Sequence, residues 1–189
     1  MASSSNLRIS RCRKVPAVGA AAIIVSLLYG SAPVLAQQNC PGAGVVQAAA
    51  KSFIAAAQTR DPGQFSNTVA RYTDLTALAL FALGPYRNEL TPDQKSNYVG
   101  LVRGFIGRFL AEHAGSFANA QFQIQSCGDG EIRSVAGREQ IVWNVSGNHI
   151  RDVQAGGFSL AVELQSKFVS VIRQHGGDIG ALFKFLGQG

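Results

Sequence analysis

The segment at 157–161, GFSLA, is the part of the chain that most resembles a catalytic motif, because it has the G-x-S-x-A spacing of a nucleophile elbow. An elbow presents its serine at a sharp turn between strand and helix, and an acid and then a histidine follow in the chain. Here the downstream candidates, His175 and Asp178, come in the reverse order. A helix N-cap explains Ser159 equally well. We therefore predict no catalytic residues and no enzyme; a small cone-fold hydrolase that uses Ser159 is the alternative.

The spacing of the histidines and cysteines does not indicate a metal or cofactor site. The histidines at 113, 149 and 175 are dispersed, and no two cysteines have the C-x-x-C spacing of a metal site. We predict neither a metal site nor a cofactor. Arg151 and Asp152 are neighbours on a predicted strand, and we expect them to form a salt bridge at the rim of a sheet, of small energetic value.

The first 36 residues are typical of a cleaved signal peptide. Four basic residues between positions 8 and 14 precede an apolar run at 17–29, and Val34-Leu35-Ala36 fits a signal-peptidase site. The run is shorter than the about 20 residues that cross a bilayer, although a retained anchor is the alternative. We predict a signal peptide over 1–36, a single domain over 37–189 and export to the periplasm.

Export changes how charge and cysteine content are interpreted. Without residues 1–36, the Lys plus Arg count falls from 17 to 13 against 11 acidic residues, so the net charge falls from +6 to +2. No basic cluster remains, which argues against a nucleic-acid partner. Cys12 leaves with the signal peptide. In an oxidising compartment the remaining Cys40 and Cys127 favour one disulfide, and two independent thiols are the alternative.

Apolar periodicity and capping residues predict the elements of the exported part. Helices are expected at 45–60, 64–72, 75–83 and 91–113, strands at 121–127, 131–135, 141–146 and 149–153, and two more helices after Ser159 and after Asp178. Helices followed by an antiparallel meander and then by more helices predict an α+β fold.

The helix that starts at Thr91-Pro92 carries two stripes. Tyr98, Val102, Phe105 and Phe109 form an aromatic-rich stripe, and tiny residues at 100, 104, 107 and 111 form another. Each interior glycine costs about 1 kcal/mol relative to alanine, so three on one helix require a reason. They indicate either the close approach of a neighbouring element or a groove beside the aromatic side chains.

Several segments, in order, resemble the MlaC or toluene-tolerance family of periplasmic phospholipid-binding proteins, which are auxiliary components of ABC transporters. In the second half, Trp143 stands on a strand, and Arg151-Asp152-Val153, Gly157-Phe158-Ser159-Leu160 and Lys167-Phe168 follow it. The first half contributes Asp74-Leu75, Leu83-Gly84, Tyr86-Arg87, Leu90-Thr91-Pro92 and Gln94. The meander is shorter than is usual in the family, so a hopanoid or another lipid is the alternative ligand.

This resemblance implies a cone-like, NTF2-like arrangement of helices covering a curved antiparallel sheet, with an internal apolar cavity between them. It implies a carrier that shields phospholipid acyl chains, supports outer-membrane lipid asymmetry, and exchanges lipid with an inner-membrane ABC transporter complex and an outer-membrane lipoprotein complex. We expect a monomer. The alternative is a structural envelope protein whose apolar residues are all core. The candidate lipid-binding residues are Tyr98, Val102, Phe105, Phe109, Phe122, Ile124, Val142, Ile150, Leu164 and Phe168.

Overall fold

The computed structural model describes residues 40–188, apart from the side chain of Ser116, so the predicted signal peptide lies outside the described residues. The helices are α1 (Ala43–Thr59), α2 (Pro62–Tyr72), α3 (Leu75–Ala82), α4 (Pro92–Glu112), α5 (Leu160–Gln174) and α6 (Ile179–Leu186). The strands are β1 (Phe122–Gly128), β2 (Glu131–Ala136), β3 (Glu139–Ser146), β4 (His149–Ala155) and β5 (Phe158–Ser159). Of the helices in this part of the chain, none is long and apolar enough to cross a membrane.

Four of the predicted helix starts are confirmed by side-chain caps. The Thr91 hydroxyl accepts a hydrogen bond from the backbone N–H of Gln94, whose side chain accepts one from the Thr91 N–H in return. This reciprocal pair satisfies two backbone donors that have no partner inside the helix. Asp74, Ser159 and Asp178 cap α3, α5 and α6 in the same general way.

The sheet is an antiparallel meander in the order β1-β2-β3-β4-β5, and the predicted α+β class is confirmed. Four strands match the predicted segments. The fifth, β5, pairs only Phe158 and Ser159 with the end of β4. Two residues are too few to show the alternation that identifies a strand in a sequence, so β5 was not predicted.

One face of the sheet packs on α1 and the other is more polar. Cross-strand pairing places Ile132, Trp143 and Val153 in one row on the face that α1 covers. The adjacent row contains Arg133, Val142 and Gln154, and successive residues of a strand point to opposite faces. Alanines on α1 let the helix approach the sheet closely, because they add little volume beyond the backbone.

The expected salt bridge between Arg151 and Asp152 is wrong. Arg151 instead pairs with Asp74: the Nη1 atom of Arg151 lies 3.0 Å from the Oδ2 atom of Asp74. This salt bridge connects β4 with the start of α3. Neighbouring residues on a strand project in different directions, and an irregularity in the β3–β4 register lies beside Asp152. Asp152 accepts hydrogen bonds from the start of α5 instead.

The small residues of α4 allow the close approach of α2. A Cβ atom added to Gly107 would overlap the Ser66 hydroxyl and the backbone carbonyl oxygen of Pro62. The Ser66 hydroxyl also donates a hydrogen bond of 3.1 Å to the Arg103 carbonyl oxygen, which holds the two helices together. At Gly107 the close-approach interpretation is therefore correct, whereas a Cβ on Gly100 would have no neighbour within 4 Å.

Candidate functional site

The ten predicted lipid-binding residues fall into different parts of the domain. One group belongs to a helical cluster formed by α3, α4, α5 and α6, and a second belongs to a sheet cluster between α1 and the sheet. Members of the helical cluster are Tyr98, Val102, Leu164 and Phe168, with Phe105 packed against them. Members of the sheet cluster are Ile150 and, packed against its buried residues, Phe122 and Ile124. Phe109 and Val142 lie outside both groups.

Val142 does not share a surface with the other predicted sheet residues. It pairs with Arg133 and Gln154, whereas its neighbour Trp143 faces α1. A strand shows alternate residues to opposite faces, so Val142 cannot line one cavity together with Ile150 and Phe122. Val142 therefore lies on the opposite face of the sheet from the other predicted sheet residues, and whether it contacts lipid stays a prediction.

The helical cluster is tightly filled around two aromatic side chains. Tyr98 is fully buried, and its hydroxyl donates a hydrogen bond of 2.9 Å to the Ala79 carbonyl oxygen. Burial raises the pKa of this phenol well above its usual value, because the charged form would lose its hydration. Phe168 meets the ring of Phe105 edge to face at 5.5 Å. Tyr98 therefore acts as an anchored core residue of α4.

The sheet cluster has its own internal polar contact. The indole N–H of Trp143 donates a hydrogen bond of 2.8 Å to the hydroxyl of Ser134, and both residues are buried. Phe122 packs edge to face on the same indole at 6.1 Å. Because the polar atom of Trp143 is satisfied within the sheet, the surface that it shows to α1 is apolar.

Phe53 on α1 connects the hydrophobic clusters, and the sequence analysis missed it. Its side chain packs against the helical cluster, against the sheet cluster and against a third cluster that contains Phe65. The Phe53 and Phe65 rings stack at 6.3 Å. A signal was present in the sequence, because Phe53 is the one aromatic residue in an otherwise alanine-rich helix and follows Val46, Ala49 and Ala50 at helical spacing.

A surface groove lies where α4, α5 and α6 meet. Three phenylalanines form its apolar part, and the Phe105 ring lies 5.5 Å from that of Phe185 and 6.4 Å from that of Phe109. The groove is bounded by Phe105, Arg108, Phe109, Glu112, Lys167, Phe185 and Gln188. Its volume of about 180 Å³ is below the roughly 300–1,000 Å³ of typical ligand pockets. Two of the predicted lipid-binding residues, Phe105 and Phe109, thus reach the surface in this groove.

Cys40 and Cys127 are joined by a disulfide, with their Cα atoms 5.7 Å apart. The bond connects the chain just before α1 to the end of β1, and Cys40 packs against the sheet cluster. It therefore holds the start of α1 close to the sheet. Within residues 40–188 no three His, Cys, Asp or Glu side chains come together as a metal-binding group.

Ser159 takes part in a helix-capping arrangement. Its hydroxyl donates a hydrogen bond of 2.7 Å to Asp152 and accepts one from the Val162 N–H. The other carboxylate oxygen of Asp152 accepts from the Ala161 N–H. Two histidines, His113 and His175, contact carbonyl oxygens of their own preceding helices. In the described residues no hydrogen bond joins Ser159 to a histidine, and the arrangement supports the start of α5.

Two comparisons with known proteins found a match, one to a family and one to a solved structure. A family profile described as MlaC protein matches residues 46–188. The fold is similar to that of a phospholipid-binding protein from Ralstonia solanacearum, solved in complex with a phospholipid, with a TM-score of 0.63 and 18% sequence identity. The similarity covers 78% of this chain and 95% of that chain. No curated protein matches the sequence.

Proposed function

This chain belongs to the MlaC family, and we propose that it is a periplasmic carrier that shuttles phospholipid between the outer membrane and an inner-membrane ABC transporter. The observation that carries this proposal is the extent of the family match, which spans α2 to α6, the whole sheet and nearly all of α1. The phospholipid held by the Ralstonia solanacearum protein of similar fold supports it. Export by the signal peptide predicted over 1–36 would place the carrier in the periplasm.

A carrier of this kind must keep acyl chains out of water while it crosses an aqueous space. A chain of roughly sixteen carbons carries on the order of 10 kcal/mol of hydrophobic transfer free energy, at ~0.8 kcal/mol per methylene. The apolar rings of the groove, Phe105, Phe109 and Phe185, offer the first contact for such a chain. The groove alone is too small to enclose it, so the chain has to continue into the interior.

We place the continuation between the helical cluster and the sheet cluster. Phe105 leads inward because its ring contacts the buried Phe168. Phe53 packs against both clusters and therefore closes the space between them. Loading requires Phe53 to turn aside or the helices to move away from the sheet. Phe122, Ile124 and Ile150 would then line the sheet side of the cavity, and Leu164 and Phe168 the helical side.

The carrier function is tested by purifying the exported protein from a bacterial periplasm and recording native mass spectra before and after lipid extraction. We expect a diacyl phospholipid bound at a ratio near one to one. A bound hopanoid would replace the proposed ligand. Protein that carries no lipid and also takes none from vesicles would overturn the carrier proposal.

The route through the groove is tested by a pair of phenylalanine variants. Phe105→Gln places an amide on the proposed path, and we expect less lipid per protein molecule. Phe81→Gln is the matched control, because the Phe81 side chain is 47% exposed and does not line the groove. Circular dichroism verifies that both variants are folded. Equal lipid content in the two variants would contradict the route.

A further inference from the structure

The groove carries positive charge directly beside its apolar rings. Arg108 and Lys167 lie at its boundary together with one acidic residue, Glu112, which gives the lining a net charge of +1. An amphiphile with an anionic head and an apolar chain is complementary to a groove that has both cationic and apolar lining residues. Building on the carrier function proposed above, we propose that Lys167 and Arg108 hold the phosphate of the phospholipid at the mouth of the groove.

Lys167 is positioned to reach a ligand. It stands on α5 immediately before the buried Phe168, and its own side chain is exposed. Within residues 40–188 it forms no salt bridge, including none with Glu112, and its ammonium group donates no hydrogen bond to another side chain or to the backbone. Its three N–H donors are therefore directed to solvent or to a bound anion.

Arg108 supplies a second cation that is held in place. One of its guanidinium nitrogens, Nη2, donates a hydrogen bond of 2.6 Å to the Leu186 carbonyl oxygen at the end of α6. Its Nη1 lies over Gly104, where an added Cβ would be 3.4 Å away. The missing side chain at Gly104 thus leaves space for the guanidinium group. Arginine has five N–H donors in a planar fork, so the bond to Leu186 leaves others for a phosphate.

The apolar part of the groove selects for a lipid over a free anion. Phe105, Phe109 and Phe185 line the same groove as the two cations, and the Phe105 ring lies close to both of the other rings. A phosphate without an acyl chain would gain only the exposed charge contacts, which are weak individually. The two cations and the apolar rings together favour a ligand that has both a phosphodiester head and acyl chains, which is a glycerophospholipid.

The test measures whether the protein distinguishes lipids by their phosphate. The exported protein is incubated with vesicles that contain phosphatidylglycerol and diacylglycerol with identical acyl chains, and the extracted ratio of the two is determined by mass spectrometry. We expect the wild-type protein to prefer the phospholipid. Lys167→Gln should lower that preference by about threefold to fivefold, the size expected when an exposed charge contact is lost. Lys167→Arg, which keeps the charge, should retain most of it.

Lys184→Gln is the matched control, because Lys184 is an exposed lysine of α6 that does not line the groove. It should leave the extracted ratio unchanged. If Lys167→Gln and Lys184→Gln behave alike, or if the wild type extracts both lipids equally, the phosphate site is overturned while the carrier function stands. Extraction of no lipid at all would overturn the carrier function itself.

Discussion

Replacing Gly107 by alanine should destabilise the domain, although alanine is the better helix former. The added Cβ would overlap the Ser66 hydroxyl and the Pro62 carbonyl oxygen across the contact between α2 and α4. The serine cannot turn away without losing its hydrogen bond to the Arg103 carbonyl oxygen. The Pro62 oxygen belongs to the backbone of the first turn of α2, so relief requires that the two helices separate.

The expected loss is the difference between an overpacking cost and a helix-propensity gain. Overpacking of a closely packed contact costs about 1–3 kcal/mol, and the lost hydrogen bond adds about 1 kcal/mol. Alanine returns about 1 kcal/mol relative to glycine within a helix. We therefore expect Gly107→Ala to lower the free energy of unfolding by about 2 kcal/mol. In a domain of this size that corresponds to a decrease in Tm of about 4–8 °C.

Urea denaturation and thermal unfolding, followed by circular dichroism, measure the effect. The matched control is Gly100→Ala on the same helix, where an added Cβ meets nothing within 4 Å and the position is exposed. That variant should be more stable than the wild type by about 1 kcal/mol. If Gly107→Ala is as stable as Gly100→Ala, the close contact between α2 and α4 does not constrain the helix. The glycine stripe would then be better explained as the wall of a groove.

Three further perturbations test other parts of the domain. Replacing both Cys40 and Cys127 by serine should lower the free energy of unfolding by about 4–5 kcal/mol, because the disulfide closes a long loop with a sequence separation of 87. Wild-type protein measured with and without reductant should show the same difference, and a loss below about 1 kcal/mol would contradict this expectation. The raised pKa of Tyr98 means that the unfolded chain loses this proton above about pH 10 while the native state keeps it, so stability should fall as the pH rises past that value. In urea titrations at a series of pH values, Tyr98→Phe should lack the part of this stability loss that Tyr98 causes. Identical pH profiles of stability for the variant and the wild type would refute the role of Tyr98. Asp152→Ala should cost about 1 kcal/mol in thermal unfolding, because Ser159 and the Ala161 N–H lose their acceptor at the start of α5; an unchanged Tm would show that Ser159 caps the helix by itself.

Local sequence signals were sufficient to predict the six helices and four of the five strands in their correct order. Helix starts at Asp74, Thr91, Ser159 and Asp178 depend on side chains that bond to backbone groups two or three residues away, so they can be recognised without knowledge of the fold. Alternation along each strand has a period of two residues and is equally local. The family was indicated separately, because the motifs around Asp74, Thr91-Pro92, Trp143 and Gly157 resemble those of the MlaC family, and the match over residues 46–188 confirms this resemblance.

The candidate site was predicted less completely, because lining a common surface is a relation between distant segments. Tyr98 and Phe168 were both predicted to bind lipid, and the structure places both in the helical cluster. Phe53 was missed because its importance comes from contacts with three clusters and not from its neighbours in the chain. Whether the predicted residues contact lipid stays a prediction that the variants above can test.

Residue types at short spacing predicted the helices, four of the five strands and the α+β class, and the resemblance of several motifs to a known family indicated the MlaC family. The tertiary structure was needed to show that Val142 faces away from α1, that Arg151 pairs with Asp74, and that Gly107 allows the close approach of α2. Each of these depends on strand register or on helix packing between residues far apart in the chain. Such contacts are set by how whole elements pack together, and no local pattern of side chains specifies them.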